Sequence, residues 1–221
     1  MLQRLRGALR RFAYAHGYGR LRLGHLRGVW IDVGAHGGET TLEYARRNRK
    51  LTVFAFEPNL KLAARLMGRL ANYIVIPMAV SDVDGSAEFL VNGSDGSSSL
   101  LTMTDEGKQV WSDYELAVTE RVAVPTIRLD TFMNRAGIDK VDYLKVDAEG
   151  ADLMVIASCG ERLRDVDKVM AEVDLAERPL YEGAPTRAEL VDFMEGQGFL
   201  LASGRLQNQD RQENLTFVQR G

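Results

Sequence analysis

Cysteine is almost missing from this 221-residue chain. Cys159 stands alone, so no internal disulfide can form, and a single thiol fits a reducing compartment. Long apolar runs are missing as well: no stretch approaches the roughly 18 residues of a membrane-spanning helix. The N-terminus lacks the apolar core of a secretion signal, and the expected location is the cytoplasm. Histidine numbers only three. His16 and His25 have no further His or Cys nearby to complete a site, so no metal is expected. Repeats and linkers are absent too, which leaves one domain with ample length for a large core at 45% hydrophobic residues.

Acidic residues are absent from the first 28 positions, which hold seven of the 28 basic residues. The remaining 21 basic residues face all 31 acids, so residues 29–221 carry a net charge of −10. In the basic segment Leu2, Leu5, Leu9 and Phe12 fall at helical spacing among Arg4, Arg6, Arg10 and Arg11. Residues 1–28 therefore read as a basic helix or arm. Its apolar face would pack on the domain, or the arm would make a peripheral contact with anionic lipid or an acidic glycan.

What is present is organised around Val29–Thr41, VWIDVGAHGGETT. A short apolar run carries Asp32 and breaks into Gly34, Gly37 and Gly38 before a helix-compatible stretch. That is a buried strand, a tight turn and a helix N-terminus, the arrangement that receives polar ligands in open α/β sheets. The position two beyond Gly34 is His36, so a dinucleotide fingerprint fails. Asp32-x-Gly34-x-x-x-Gly38 remains, and an acid before the first glycine suits a ligand with a cationic amine. S-adenosylmethionine has such an amine and no phosphate.

Thr52–Phe56 reads as a second strand, ending in Glu57-Pro58-Asn59. Glu57 lies 19 residues beyond Gly38, where a strand-end carboxylate can accept both hydroxyls of a ribose. Pro58 stops the strand and Asn59 can cap the next helix. Tyr73–Val80 reads as strand three, ending at Ser81-Asp82, beside the expected place of an adenine. Ala87–Val91 and Arg121–Leu129 read as partner strands, making a β-rich insertion around 82–128 in which the polar loop Asn92–Ser99 is either a hairpin connection or a lid. Val141–Val146 is strand four, ending in Asp147-Ala148-Glu149-Gly150. Lys168–Val173 is strand five, with Glu172 and Asp174 at its end. Thr186 and Glu189 form a capping box, and Phe199–Ala202 and Leu215–Val218 close the sheet as a hairpin. Asp32, Glu57, Ser81, Asp147 and Glu172 thus gather at the carboxyl ends of separate strands, where doubly wound sheets bind ligands.

Ile31–Thr41, Phe54–Asn59 (FAFEPN), Ala79–Gly85 (AVSDVDG) and Tyr143–Asp152 (YLKVDAEGAD) occur in order, with SSSL at Ser97–Leu100, VPTIRLD at Val124–Asp130 and AEVD at Ala171–Asp174. Together they resemble the FkbM family of S-adenosylmethionine-dependent methyltransferases over residues 29 to about 200. The resemblance implies an α/β class I methyltransferase fold, Rossmann-like, mostly parallel, with helices on both faces and an antiparallel last strand. It also implies methyl transfer to an oxygen, commonly a hydroxyl of a sugar or a secondary metabolite. Carried over by position, Asp32, Gly34 and Gly38 form the cofactor loop, Glu57 with Pro58 and Asn59 holds the ribose, and Ala79, Ser81 and Asp82 border the adenine. Asp147 lies next to the methionine end. His36 departs from the family, which more often has Asn there, and it joins the cofactor set as a titratable donor.

An alcohol acceptor must lose its proton, so the candidates for catalysis are Asp147, Glu149 and Glu172. The expected partner is a small-molecule or glycan hydroxyl acceptor, with a homo-oligomer left open. A second class of reading is a catalytically silent nucleoside-binding scaffold subunit; the acids on the strand ends argue against it. RNA methylation is disfavoured by the acidic body, which suits no phosphate-tracking groove.

Overall fold

The computed structural model describes residues 28–110, 117–175, 179–208 and 211–220. The basic arm, apart from Gly28, lies outside them. In chain order the elements are β1 (Gly28–Val33), α1 (Leu42–Arg47), β2 (Leu51–Phe56), α2 (Leu60–Leu66), β3 (Tyr73–Ile76), β4 (Ala79–Val80), β5 (Gly85–Asn92) and α3 (Asp105–Val110). Then come β6 (Val118–Ile127), α4 (Leu129–Ala136), β7 (Tyr143–Val146), α5 (Asp152–Ala157), β8 (Lys168–Asp174), α6 (Arg187–Gly196), β9 (Phe199–Gln207) and β10 (Gln212–Gln219).

Seven strands form one sheet in the order β3-β2-β1-β7-β8-β10-β9. Pairing is parallel from β3 through β8, and β10 runs antiparallel to both β8 and β9. The expected mostly parallel sheet with an antiparallel last strand is what the chain forms. Because both faces of the central strands are covered, they are apolar almost continuously. Alternate residues of β1 and β7 go to different layers: Ile31, Val33, Leu144 and Val146 join α4, α5 and α6 in one apolar cluster. Trp30 and Tyr143 join α1 and α2 in the other, with the indole 5.0 Å from the Tyr143 ring and 5.2 Å from Tyr44. By this period of two, Asp32 and Lys145 fall on the Trp30 face. They are also direct neighbours in the β1–β7 register. A charged pair therefore sits in the middle of the buried sheet.

Strand order reverses between β1 and β7, since the chain moves outward from β1 through β2 and β3 and returns to β1's other side as β7. Crevices at such a switch point open above the carboxyl ends of the strands.

The expected strand three, Tyr73–Val80, is in fact two strands. Pro77 has no N–H to give a ladder, and the chain turns there, with the Met78 N–H donating to the Ile76 carbonyl at 2.9 Å. β3 stays on the main sheet, while β4 joins a three-stranded sheet ordered β4-β6-β5. In that sheet β5 and β6 pair antiparallel from Gly85↔Thr126 to Asn92↔Val118. The final hairpin is longer than its apolar residues suggest. The β9–β10 ladder reaches Gln207↔Gln212, because at a sheet edge backbone pairing does not require a buried side chain at every second position. Strand four is shorter: its ladder starts at Tyr143, and Val141 makes a lone bridge to Val166. The capping box is present, with both the Thr186 and Glu189 bonds formed.

Candidate functional site

The turn after β1 builds the floor of a cavity. Gly34 has φ +71°, and a Cβ placed on it would lie 1.8 Å from the carbonyl oxygen of Asp147, so only glycine lets the ends of β1 and β7 approach this closely. His36 follows at φ +47°, an unusual conformation for a residue with a Cβ. It is held there because its N–H donates to Glu57 Oε2 at 2.7 Å. The other oxygen of Glu57 accepts the Asn59 N–H at 2.8 Å. Burial raises the Glu57 carboxyl above its ordinary range, and those two backbone donors oppose the rise. Each carboxylate oxygen keeps a further lone pair for a ligand hydroxyl.

The cavity above this turn has a volume of about 260 Å³. Met78, Ala79, Val80 and Phe89 give it an apolar wall, and Ser98, Ser99 and Leu100 close over it from the loop after β5. Asp147, Glu149 and Lys145 also line it. Lys145 is 3% exposed and its Nζ donates to the Gly34 carbonyl at 2.6 Å. The same ammonium stands 3.3 Å from Asp147 Oδ2 and 3.1 Å from Asp32 Oδ1. The latter is a buried ion pair. Asp32 Oδ2 accepts the hydroxyl of Thr41, whose oxygen is 3.1 Å from the Tyr73 hydroxyl. Burial raises the Asp32 carboxyl, with Lys145 as the main opposing influence.

Beyond Lys145 lies a concentration of carboxyls. Asp147, Glu149 and Glu172 each offer one oxygen within 4.8 Å of the other two. Asp152 is buried behind them, accepting the N–H of Glu172 at 3.0 Å and of Ala148 at 3.2 Å. Burial, and then the nearby Asp147, push Glu149 up to about 8 and Asp152 up to about 7. The same two causes, with Glu149 added, raise Glu172 well above the ordinary carboxylate range. Glu149 has φ +50°, and its carboxylate is fixed by Tyr181, whose hydroxyl lies 2.7 Å from Oε2 and 3.0 Å from the Ser97 carbonyl. The Ser99 hydroxyl donates to the Glu149 carbonyl at 2.8 Å. Glu149 is thus where the turn after β7, the loop over the cavity and the segment around Tyr181 meet. Backbone strain of this kind persists only where the surroundings over-determine it.

Of the residues expected in a cofactor site, Gly34, His36, Glu57, Pro58, Ala79 and Asp147 line the cavity. Asp32, Gly38, Asn59, Ser81 and Asp82 do not. Asp32 is fully buried, with Thr41 on one oxygen and Lys145 within ion-pair distance of the other, so it supports the residues that line the cavity. A Cβ on Gly38 would press on Leu42 and Leu66, so Gly38 serves helix packing. Asn59 caps α2 by accepting the Lys61 N–H at 3.0 Å. Ser81 and Asp82 fall beyond the break at Pro77, where the Ser81 hydroxyl donates to Asp82 at 3.0 Å. Among the catalytic candidates, Asp147 and Glu149 line the cavity, while Glu172 borders a smaller cleft shared with Tyr181. Sequence reasoning missed Lys145, Asp152, Ser99 and Tyr181.

A seven-stranded sheet with its next-to-edge strand reversed, and a cavity at the β1–β7 switch point with a strand-end acid on β2, define a class I methyltransferase. More narrowly, residues 32–201 match the methyltransferase FkbM domain, and the chain belongs to that family. Its cofactor is S-adenosylmethionine. A curated relative, the 2-O-methyltransferase NoeI of Sinorhizobium fredii (strain NBRC 101917 / NGR234), is 29% identical over 170 residues, spanning 73% of this chain and 69% of that protein. Among solved structures, the fibrillarin/Nop5p complex is similar in fold, with a TM-score of 0.50 at 14% identity over 90% of this chain and 75% of that one. Magnesium protoporphyrin IX methyltransferase from Synechocystis PCC 6803 aligns at a TM-score of 0.48 and 11% identity, over 89% and 73% of the two chains. No helix among the described residues is long and apolar enough to cross a membrane.

Proposed function

We propose that this methyltransferase acts on a hydroxyl of a small sugar-containing molecule, with Glu149 as the general base. The observation that carries the reading is the placement of Glu149. Its carboxyl lines the cavity, is held by Tyr181, and is pushed up to about 8. A base with that affinity for protons matches an alcohol better than an ordinary carboxylate, since general-base catalysis improves as the pKa of the base approaches the operating pH. The name of the relative, a 2-O-methyltransferase, supports oxygen as the acceptor atom.

The residues present suit S-adenosylmethionine. Glu57 offers free lone pairs to a ribose diol, the Met78–Val80 wall is apolar enough for an adenine, and Asp147 with the Gly34 turn offers an anionic corner to an ammonium. Bound there, the cofactor supplies a sulfonium methyl for in-line displacement. Glu149 would take the acceptor's proton as the hydroxyl oxygen gains that methyl. The products would be a methyl ether, S-adenosylhomocysteine and a protonated Glu149, which returns its proton to solvent. Holding the acceptor in line at about 3 Å contributes about 7–11 kcal/mol, so the loop Ser98–Leu100 over the cavity is part of the reading as the element that orients it.

The test is formation of S-adenosylhomocysteine by the purified chain with a panel of uncharged glycosides, from pH 6 to 9. Turnover should require a hydroxylated acceptor and rise with pH towards 8. Glu149→Gln should slow it by about 10²–10⁴-fold, the usual worth of a general base. Methylation of amines in place of hydroxyls, or undiminished turnover by the Gln variant, would refute the assignment.

A further inference from the structure

The mechanism uses Glu149 and Asp147, yet the cation between the cavity's two walls has no part in it. Lys145 occupies the third position of a strand whose four residues are all buried. Lysine is almost never fully buried unless paired, and taking an ammonium out of water costs several kcal/mol before its partners offset it. Neutralising Asp32, its register neighbour, accounts for one direction of the side chain. It does not account for the other two. Nζ also reaches the Gly34 carbonyl at 2.6 Å and Asp147 Oδ2 at 3.3 Å. Gly34 directly follows β1 and Asp147 directly follows β7, so these two contacts tie the cavity wall contributed by one strand to that contributed by the other. All three residues border the cavity, whereas Asp32 does not.

We infer that Lys145 is a positioning residue for the methionine end of the cofactor, fixing the Gly34 carbonyl and the Asp147 carboxylate in the spacing that receives it. The inference rests on the reading of this cavity as the S-adenosylmethionine site. Two roles have to be separated. If Lys145 only compensates the buried charge of Asp32, removing both charges together restores the site. If it positions Gly34 and Asp147, removing Asp32's charge restores stability and leaves ligand binding impaired.

Calorimetric titration with S-adenosylhomocysteine tests this on the full chain, with melting temperature measured alongside. Lys145→Met should weaken binding by about 10- to 100-fold, the loss expected for hydrogen bonds made by a charged donor. Lys145→Met/Asp32→Asn should melt close to wild type and bind as weakly as Lys145→Met. Lys145→Met/Asp147→Asn should bind no worse than the weaker of its two parents, because both substitutions remove the same contact. Recovery of affinity to within about threefold of wild type in the Asp32→Asn double variant would overturn the inference and leave Lys145 as a counter-ion. Should Lys145→Met alone fail to fold, the Asp32→Asn double variant, which buries no unpaired charge, still decides the question. A wild-type chain that melts normally and binds no S-adenosylhomocysteine would overturn the reading of the cavity, and the inference with it.

Discussion

Raising the pH from 5 to 8 should destabilise this protein, although its net charge would suggest nothing of the kind. A carboxyl whose pKa is higher in the folded chain than in the unfolded one binds a proton on folding. The stability that proton brings is complete below the unfolded pKa and is lost as pH rises through the folded one. Glu149 goes from 4.5 to about 8 and Asp152 from 3.8 to about 7, so their window covers pH 4 to 8. At 1.36 kcal/mol per unit, either carboxyl alone is worth about 4–5 kcal/mol across its window. They lie in the same field of Asp147 and Lys145, so the pair contributes less than twice that. For a chain of this size each kcal/mol moves the melting temperature by about 2–4 °C, giving a fall of roughly 10 °C between pH 5 and 8. Asp130 and Glu189 are shifted the other way by their hydrogen bonds; their stabilisation is present above the unfolded pKa and lost at lower pH. Stability should therefore peak near pH 5. The assay is thermal unfolding across buffers from pH 4 to 9 at fixed ionic strength. Glu149→Gln cannot charge, so its curve should be flatter between pH 6 and 8 and should lie above wild type at pH 8. A wild-type melting temperature that is constant or rising from pH 5 to 8, or a Gln variant with an unchanged slope, would show that these carboxyls are not protonated in the folded state.

Other consequences concern the cavity directly. Glu57→Ala leaves the N–H groups of His36 and Asn59 without their acceptor and removes the expected ribose partner, so affinity for S-adenosylhomocysteine should drop at least about tenfold; calorimetry showing unchanged affinity would exclude the ribose role. Tyr181→Phe removes the hydrogen bond that opposes the rise of Glu149. The ascending limb of the pH–rate profile should then move to higher pH, and a limb that stays in place would mean that Glu149 is not the group it reports.

How much of this was legible beforehand depended on how local each signal was. The first two strands, the capping box at Thr186 and the strand-end position of Glu57 are written in neighbouring residues, and they stand where the sequence puts them. The break at Pro77 is also written locally, but the continuous apolar run from Tyr73 to Val80 masks it, and with it the fact that Ser81 and Asp82 follow a strand of the second sheet. Asp32 shows a different limit. The run Trp30–Val33 says that both faces are buried, yet only the register with Lys145 shows which layer Asp32 enters. Lys145 carries no signal of its own in the sequence, since a charged side chain within a short strand becomes interpretable only once its cross-strand partner is known. Tyr181 lies 32 residues from Glu149 and belongs to no strand or helix, so no spacing rule connects them.

The same geometry that makes Glu149 a plausible base on chemical grounds makes the site costly to fold. Asp32, Asp147, Glu149, Asp152 and Glu172 gather around Lys145, and one ammonium reaches only two of them. The others hold their places through Tyr181, through the N–H groups that Asp152 accepts and through the weak 3.4 Å contact of Gln207 with Glu172. Replacing such a group with apolar residues would ordinarily stabilise a core, and the sheet beneath is apolar at nearly every neighbouring position. Retaining the carboxyls therefore needs a reason beyond folding. The proposed reaction supplies one: burial among these acids is what lifts Glu149 to about 8, the proton affinity that suits the base for an alcohol. On that reading the acid cluster weakens the fold in the same measure as it tunes Glu149, which is why Glu149→Gln should lose turnover and gain stability at pH 8.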